Sequence, residues 1–198
     1  LQPSQWPLGL VSNCWKTQLD AGDDLATLIA QAEQCGLRVI ELRQTYLGAY
    51  EDGPDFVPSA ARLADLAKRF PNVQFNIALS LPCFGGELKA DHSMFLAGRN
   101  AAVALAGSRT PHLRLVDLQT PLDQFTAATV DRVATGLAEL MPAMLEVGGV
   151  LSIEHARQPW SWFCSVISAA RLLLGQNAER LQLCFDPCNL LLTEPIEQ

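Results

Sequence analysis

Apolar runs of strand length alternate with longer segments of helical period along the chain, and this alternation constrains the fold more than any other feature. Leu8 to Asn13, Val39 to Leu42, Val73 to Ser80, His112 to Leu118, Gly149 to Glu154 and Leu181 to Asp186 read as six strands. Their Val, Ile and Leu residues run nearly without interruption, as in strands covered on both faces. Between them, Asp23 to Gln34, Ser59 to Arg69, Ser93 to Ala106, Thr126 to Val147 and Trp160 to Leu174 carry helical spacing. Acidic residues open the first helix and Cys35-Gly36 closes it; Ser59 caps the second. Pro142 is expected to kink or divide the fourth. Helix-length crossovers between consecutive strands imply a parallel sheet of right-handed βαβ units.

The strand-to-strand unit recurs every roughly 30 to 40 residues, so eight units need about 280 residues, within the usual range of a TIM-type (β/α)8 barrel. The 198 residues supply about six. The expectation is therefore an α/β chain, with residues 1–198 forming a single, incomplete barrel domain cut short after its sixth strand. A smaller six-stranded sheet is the other arrangement this count allows. No Ser/Pro/Gly-rich linker divides the chain.

Hydrophobic residues make up 49% and charged ones 18%, which excludes disorder, since the apolar surface suffices to offset chain entropy. The 14 Lys and Arg against 21 Asp and Glu leave a net charge of −7. That balance argues against nucleic acid and membrane surfaces as partners, because phosphate affinity comes largely from basic side chains. A membrane helix needs about 20 apolar residues in a row. The best uncharged stretch, Pro71 to Gly86, is broken by Asn72, Gln74, Asn76 and Pro82. The first residues, Leu1 to Trp6, lack the basic and apolar regions of a secretory leader. Six scattered cysteines include no CxxC pair, and several lie inside apolar runs. They read as free thiols in a reducing, cytoplasmic compartment.

The polar residues that interrupt strands fall near their carboxyl ends: Glu41, Asn76, Asp117, Glu154 and Asp186. In parallel α/β architectures that edge carries the active site. Several converging carboxylates repel one another, and a divalent cation is the simplest way to hold them together. Each also has a plainer reading, as a helix cap or the partner of an arginine. His155 follows Glu154 and points to the opposite side of an extended strand, so it reads as a packing residue or as a support behind the site. Trp15 and Phe84 lie in turn-rich segments at the same edge and are candidate pocket walls, with Leu81 to Gly86 as a mobile lip. Arg43 is a candidate for an anionic group or for a neighbouring carboxylate. The sequence holds no glycine-rich phosphate cradle and no GxSxG elbow.

Gly36-Leu37-Arg38-Val39-Ile40-Glu41-Leu42 resembles the second-strand signature of the xylose-isomerase-like TIM barrels, a superfamily of sugar isomerases, sugar epimerases, inosose dehydratases and apurinic-site endonucleases. Ser152-Ile153-Glu154-His155 is similar to its fifth-strand metal glutamate. Cys184-Phe185-Asp186-Pro187-Cys188-Asn189 is similar to its sixth-strand D-x-G-(H/N) element, with Cys188 in place of glycine and Asn189 where many members carry a substrate-contacting His.

The resemblance implies a metal-dependent sugar or polyol isomerase, epimerase or dehydratase, working by proton transfer next to a carbonyl through an enediolate. It implies Glu154 and Asp186 as ligands of a divalent metal (Mn, Mg, Co or Zn), with Glu154 also a general base. Glu41, Arg43, Trp15, Phe84 and Asn189 are the expected substrate contacts. The remaining ligands, a His and a carboxylate, would lie beyond Gln198. A homo-oligomer or a complementing C-terminal fragment could complete the barrel. The alternatives are an apurinic-site endonuclease, suggested by Cys188, and a degenerate barrel serving as a binding module.

Overall fold

A computed structural model describes residues 8–193. The leader-free reading of Leu1 to Trp6 lies outside them. Six strands form one sheet in chain order: β1 (Gly9–Val11), β2 (Val39–Arg43), β3 (Gln74–Ser80), β4 (His112–Val116), β5 (Val150–Glu154) and β6 (Leu181–Cys184). The pairs β1/β2, β2/β3 and β5/β6 are parallel. Helices alternate with them: α1 (Lys16–Asp20), α2 (Leu25–Gln34), α3 (Ala60–Arg69), α4 (Ser93–Ala106), α5 (Val130–Leu145), α6 (Trp160–Leu174) and α7 (Pro187–Thr193). The α/β class and the six strand–helix units are those the alternation predicts. Among the described residues no helix is long and apolar enough to cross a membrane, and all six cysteines are free thiols.

The chain divides into two compact units, one from Leu1–Ala78 with Ala97–His112, the other from Leu79–Leu96 with Leu113–Gln198. Each draws on two stretches of sequence, which is why no linker marks the division.

In the first unit, β1 pairs with β2 so that Val11 faces Glu41, and β2 pairs with β3 so that Glu41 faces Asn76. A Cβ at Gly9 would lie 2.6 Å from the Val39 carbonyl oxygen, so the approach of β1 to β2 needs glycine at that point. Helix α2 is capped by Asp24, whose carboxylate accepts the Thr27 amide at 3.2 Å. It buries Leu25, Leu28 and Ile29. Replacing Asp24 with alanine should cost about 1 kcal/mol in thermal unfolding. Ser59 stands at the N-cap of α3 but its side chain makes no capping bond; the helix is held instead by the burial of Leu63 and Leu66.

In the second unit, β5 and β6 run in register from Leu151–Leu181 to Glu154–Cys184. Helix α5 buries Val133, Leu137, Leu140, Met141 and Met144, and α6 buries Trp162, Phe163, Val166, Ile167 and Ala170. Pro142 neither divides nor ends α5. It sits near the carboxyl end, the helix continues to Leu145, and the Pro142 carbonyl accepts the Glu146 amide at 3.0 Å.

Candidate functional site

The site is built at the carboxyl ends of β5 and β6 in the second unit. Glu154 is the last residue of β5 and only 7% exposed. A carboxylate buried to that degree is costly without a counter-charge. Arg114, 5% exposed in the middle of β4, supplies it: its Nη1 forms an ion pair with Glu154 Oε2. On the other side, the Asn189 amide nitrogen of α7 donates to Glu154 Oε1 at 3.4 Å. The same side-chain nitrogen lies 3.0 Å from Asp186 Oδ2 and 3.0 Å from the His155 carbonyl, so its two hydrogens are shared among three acceptors.

Asp186 follows β6 and turns the chain into α7. Its Oδ1 accepts the Cys188 amide at 2.9 Å and the Asn189 amide at 3.4 Å, the local bonding that aspartate offers at a helix start. Glu154, Asp186 and Asn189 are thus brought together, with the Asn189 nitrogen between the carboxylates.

Behind this edge lies a polar network with a structural role. His155 is fully buried, with Nε2 2.8 Å from the Gln158 carbonyl and its ring against Trp160 and Phe163. It packs against these rings and holds the Gln158 carbonyl behind the site. Gln158 takes the Ala156 amide on its Oε1 and donates from its Nε2 to the Asp117 carbonyl at 3.2 Å. The Asp117 carboxylate is 1% exposed and accepts four bonds: from the amides of Phe84 at 2.8 Å, Gln119 at 3.0 Å and Thr120 at 2.9 Å, and from the Thr120 hydroxyl at 2.7 Å. With its oxygens so engaged, Asp117 clamps the loop after β3 to the end of β4.

That clamp corrects the expectation for Phe84. It is 1% exposed and packs edge-on against Phe125, Trp162 and Phe163, with ring centroids 6.1, 5.4 and 6.1 Å away. It is a core anchor and not a pocket wall, and Leu81 to Gly86 is tethered where a mobile lip is expected. The neighbouring Cys83 is 3% exposed, and burial first, then the Asp117 charge, pushes its thiol well above the ordinary range. A raised thiol pKa means less thiolate at a given pH. Iodoacetamide should therefore modify the exposed Cys14, Cys35 and Cys188 in the native protein and leave Cys83 unlabelled, as peptide mass mapping would show.

The other expected contacts lie in the first unit. Trp15 is half-buried in a 3-10 turn that follows β1 directly. Glu41 and Arg43 are half-buried on β2, and the Arg43 amide donates to the Ser12 hydroxyl at 2.9 Å.

Arg114 is the functional candidate missing from the sequence reading. A visible signal exists, since an arginine between the apolar neighbours of His112-Leu113-Arg114-Leu115-Val116 has to find a buried partner.

A divalent cation of the Mg or Ca type takes about six or more oxygen ligands. Among the described residues no three His, Cys, Asp or Glu side chains come together in a way that could hold an ion. Of the two expected ligands, Glu154 is engaged by Arg114 and both are bridged by Asn189. The described residues do not fit a metal centre of their own.

The fold and these strand-end carboxylates define an α/β protein with a polar edge of the kind found in (β/α)8 enzymes. Among solved structures, one of L-ribulose 3-epimerase shares the fold with a TM-score of 0.57 and 18% identity, covering 94% of this chain and 62% of that one. The chain thus spans less than two thirds of the epimerase's length. No protein family matches its sequence, and no curated protein does so either.

Proposed function

We propose that the chain carries part of the active site of a sugar or polyol isomerase or epimerase of the xylose-isomerase-like kind, one that moves a proton beside a carbonyl. The supporting observation is the meeting of Glu154 and Asp186 at the Asn189 nitrogen, at the carboxyl ends of adjacent strands in a fold shared with an epimerase. Fold alone does not assign function, so the proposal stands on the site.

In this reading Glu154 is the proton-transferring carboxylate. Arg114 holds Oε2, so Oε1 is the oxygen left to act on a substrate C–H, and Asn189 and Asp186 fix its direction. A positioned base of this type contributes roughly 10²–10⁴-fold. Asn189 is the proposed substrate contact beside it, its amide exchanging an internal acceptor for a substrate hydroxyl. A bound divalent metal would add Lewis-acid stabilisation of the developing enediolate. The described residues do not complete a site for one, and no step is routed through it.

The test is conversion of L-ribulose and other ketoses by the intact protein, followed by chromatography of the epimeric sugars with and without added Mn²⁺. Product should form, and Glu154→Gln should slow it by at least about 10²-fold. Undiminished conversion by the Gln variant, or no conversion of any ketose, contradicts the assignment.

A further inference from the structure

We infer that Arg114 takes the place of a metal ion at Glu154, so that this carboxylate is neutralised and the site folded with no divalent cation bound. Arg114 and Glu154 are both almost wholly buried and are paired directly. A cation bound to the same carboxylate would bring a second positive charge against the guanidinium in a poorly solvated place.

The point where Glu154 and Asp186 converge is also filled, because Asn189 Nδ2 lies 3.4 Å from one carboxylate and 3.0 Å from the other. Asp186 has a separate task, since Oδ1 accepts two amides at the start of α7. Swinging it towards an ion would release them. With no third His, Cys, Asp or Glu gathered there among the described residues, nothing offsets those losses while Arg114 holds Glu154.

Arg114 is accordingly a positioning residue. It acts through Glu154, fixing Oε2 so that Oε1 is the oxygen presented to Asn189. This deepens the proposed proton-transfer reading and shares its assignment of Glu154, but its test reads folding and ion binding only, so the two can fail separately.

The experiment is thermal unfolding of the full chain in EDTA and in millimolar Mn²⁺, with free Mn²⁺ followed by its electron paramagnetic resonance signal. An ion that binds only the folded state raises the midpoint, so the wild type should unfold at the same temperature in both solutions and leave the free-ion signal intact. Arg114→Gln should lower the midpoint, and Arg114→Lys should recover part of that loss. Mn²⁺ should then raise the midpoint of Arg114→Gln, an effect that disappears in the Arg114→Gln/Glu154→Gln double variant. Mn²⁺ stabilisation of the wild type that vanishes in Glu154→Gln overturns the inference, as does an unchanged midpoint for Arg114→Gln in EDTA. If Arg114→Gln does not fold, the comparison of wild type with Glu154→Gln decides alone.

Discussion

Replacing Asp117 with alanine is expected to destabilise the chain by about 3–5 kcal/mol, a figure built from the donors it would strand. Four donors converge on this one carboxylate, and those of Phe84 and Thr120 are buried. A buried donor left without an acceptor costs about 1–3 kcal/mol. The Gln119 amide, on an exposed residue, regains much of its loss from water. The damage should spread through one route: with the Phe84 amide released, the loop after β3 loses its tether, and the edge-on packing of Phe84 on Trp162 loosens. Urea unfolding should show a lower midpoint with an unchanged slope, accompanied by a change in native tryptophan fluorescence. Asp117→Asn, which keeps one acceptor oxygen, should fall between the two. A cost below about 1 kcal/mol for Asp117→Ala would mean that the clamp contributes no more than an ordinary surface bond.

Arg114→Met should be as severe, about 3–5 kcal/mol, because it leaves Glu154 buried beside an apolar side chain. The more telling variant is the double one. A buried ion pair exchanged for apolar residues of similar volume is often neutral or stabilising. Arg114→Met combined with Glu154→Leu should therefore recover most of the stability lost by Arg114→Met, and the thermodynamic cycle should show strong coupling. Equal costs for Arg114→Met in the wild-type and Glu154→Leu backgrounds would show that the two side chains do not sense each other. Activity should not follow stability here, since the restored double variant lacks the proposed base.

Much of the architecture is legible in the sequence because burial on both faces writes itself as continuous apolar runs. The bounds of α4 and α6 are read to the residue, and the strands to within one or two at each end. What the sequence hides is short or depends on distant partners. Helix α1 and the two-residue antiparallel ladder of Glu51–Asp52 with Val57–Pro58 are too brief and polar for periodicity to register. Helix α7 is seven residues long and begins at a proline after an aspartate, so Asp186 reads as a strand-end ligand when one of its oxygens is capping the helix.

The site is legible in the same partial way. The strand-end position of Glu154 follows from counting apolar residues, and its nearness to Asp186 from adjacent parallel strands. Phe84 sits in a Leu-Pro-Cys-Phe-Gly-Gly stretch that reads as surface loop, and partners distant in sequence hold it inside: the Asp117 carboxylate, 33 residues away, and the rings of Phe125, Trp162 and Phe163. Arg114 is hidden for another reason: one charge in an apolar strand announces the need for a partner but not which partner, and Glu154 lies outside any local window.

The most direct test of the account is solvent-deuterium exchange into a ketose held with the intact protein in D2O, followed by proton NMR at the carbons flanking the carbonyl. Loss of the adjacent C–H signal with the wild type, and its retention with Glu154→Gln under the same conditions, is the predicted result. Exchange that proceeds equally with the Gln variant, or no exchange in any ketose while the protein is folded, would contradict proton transfer at this site.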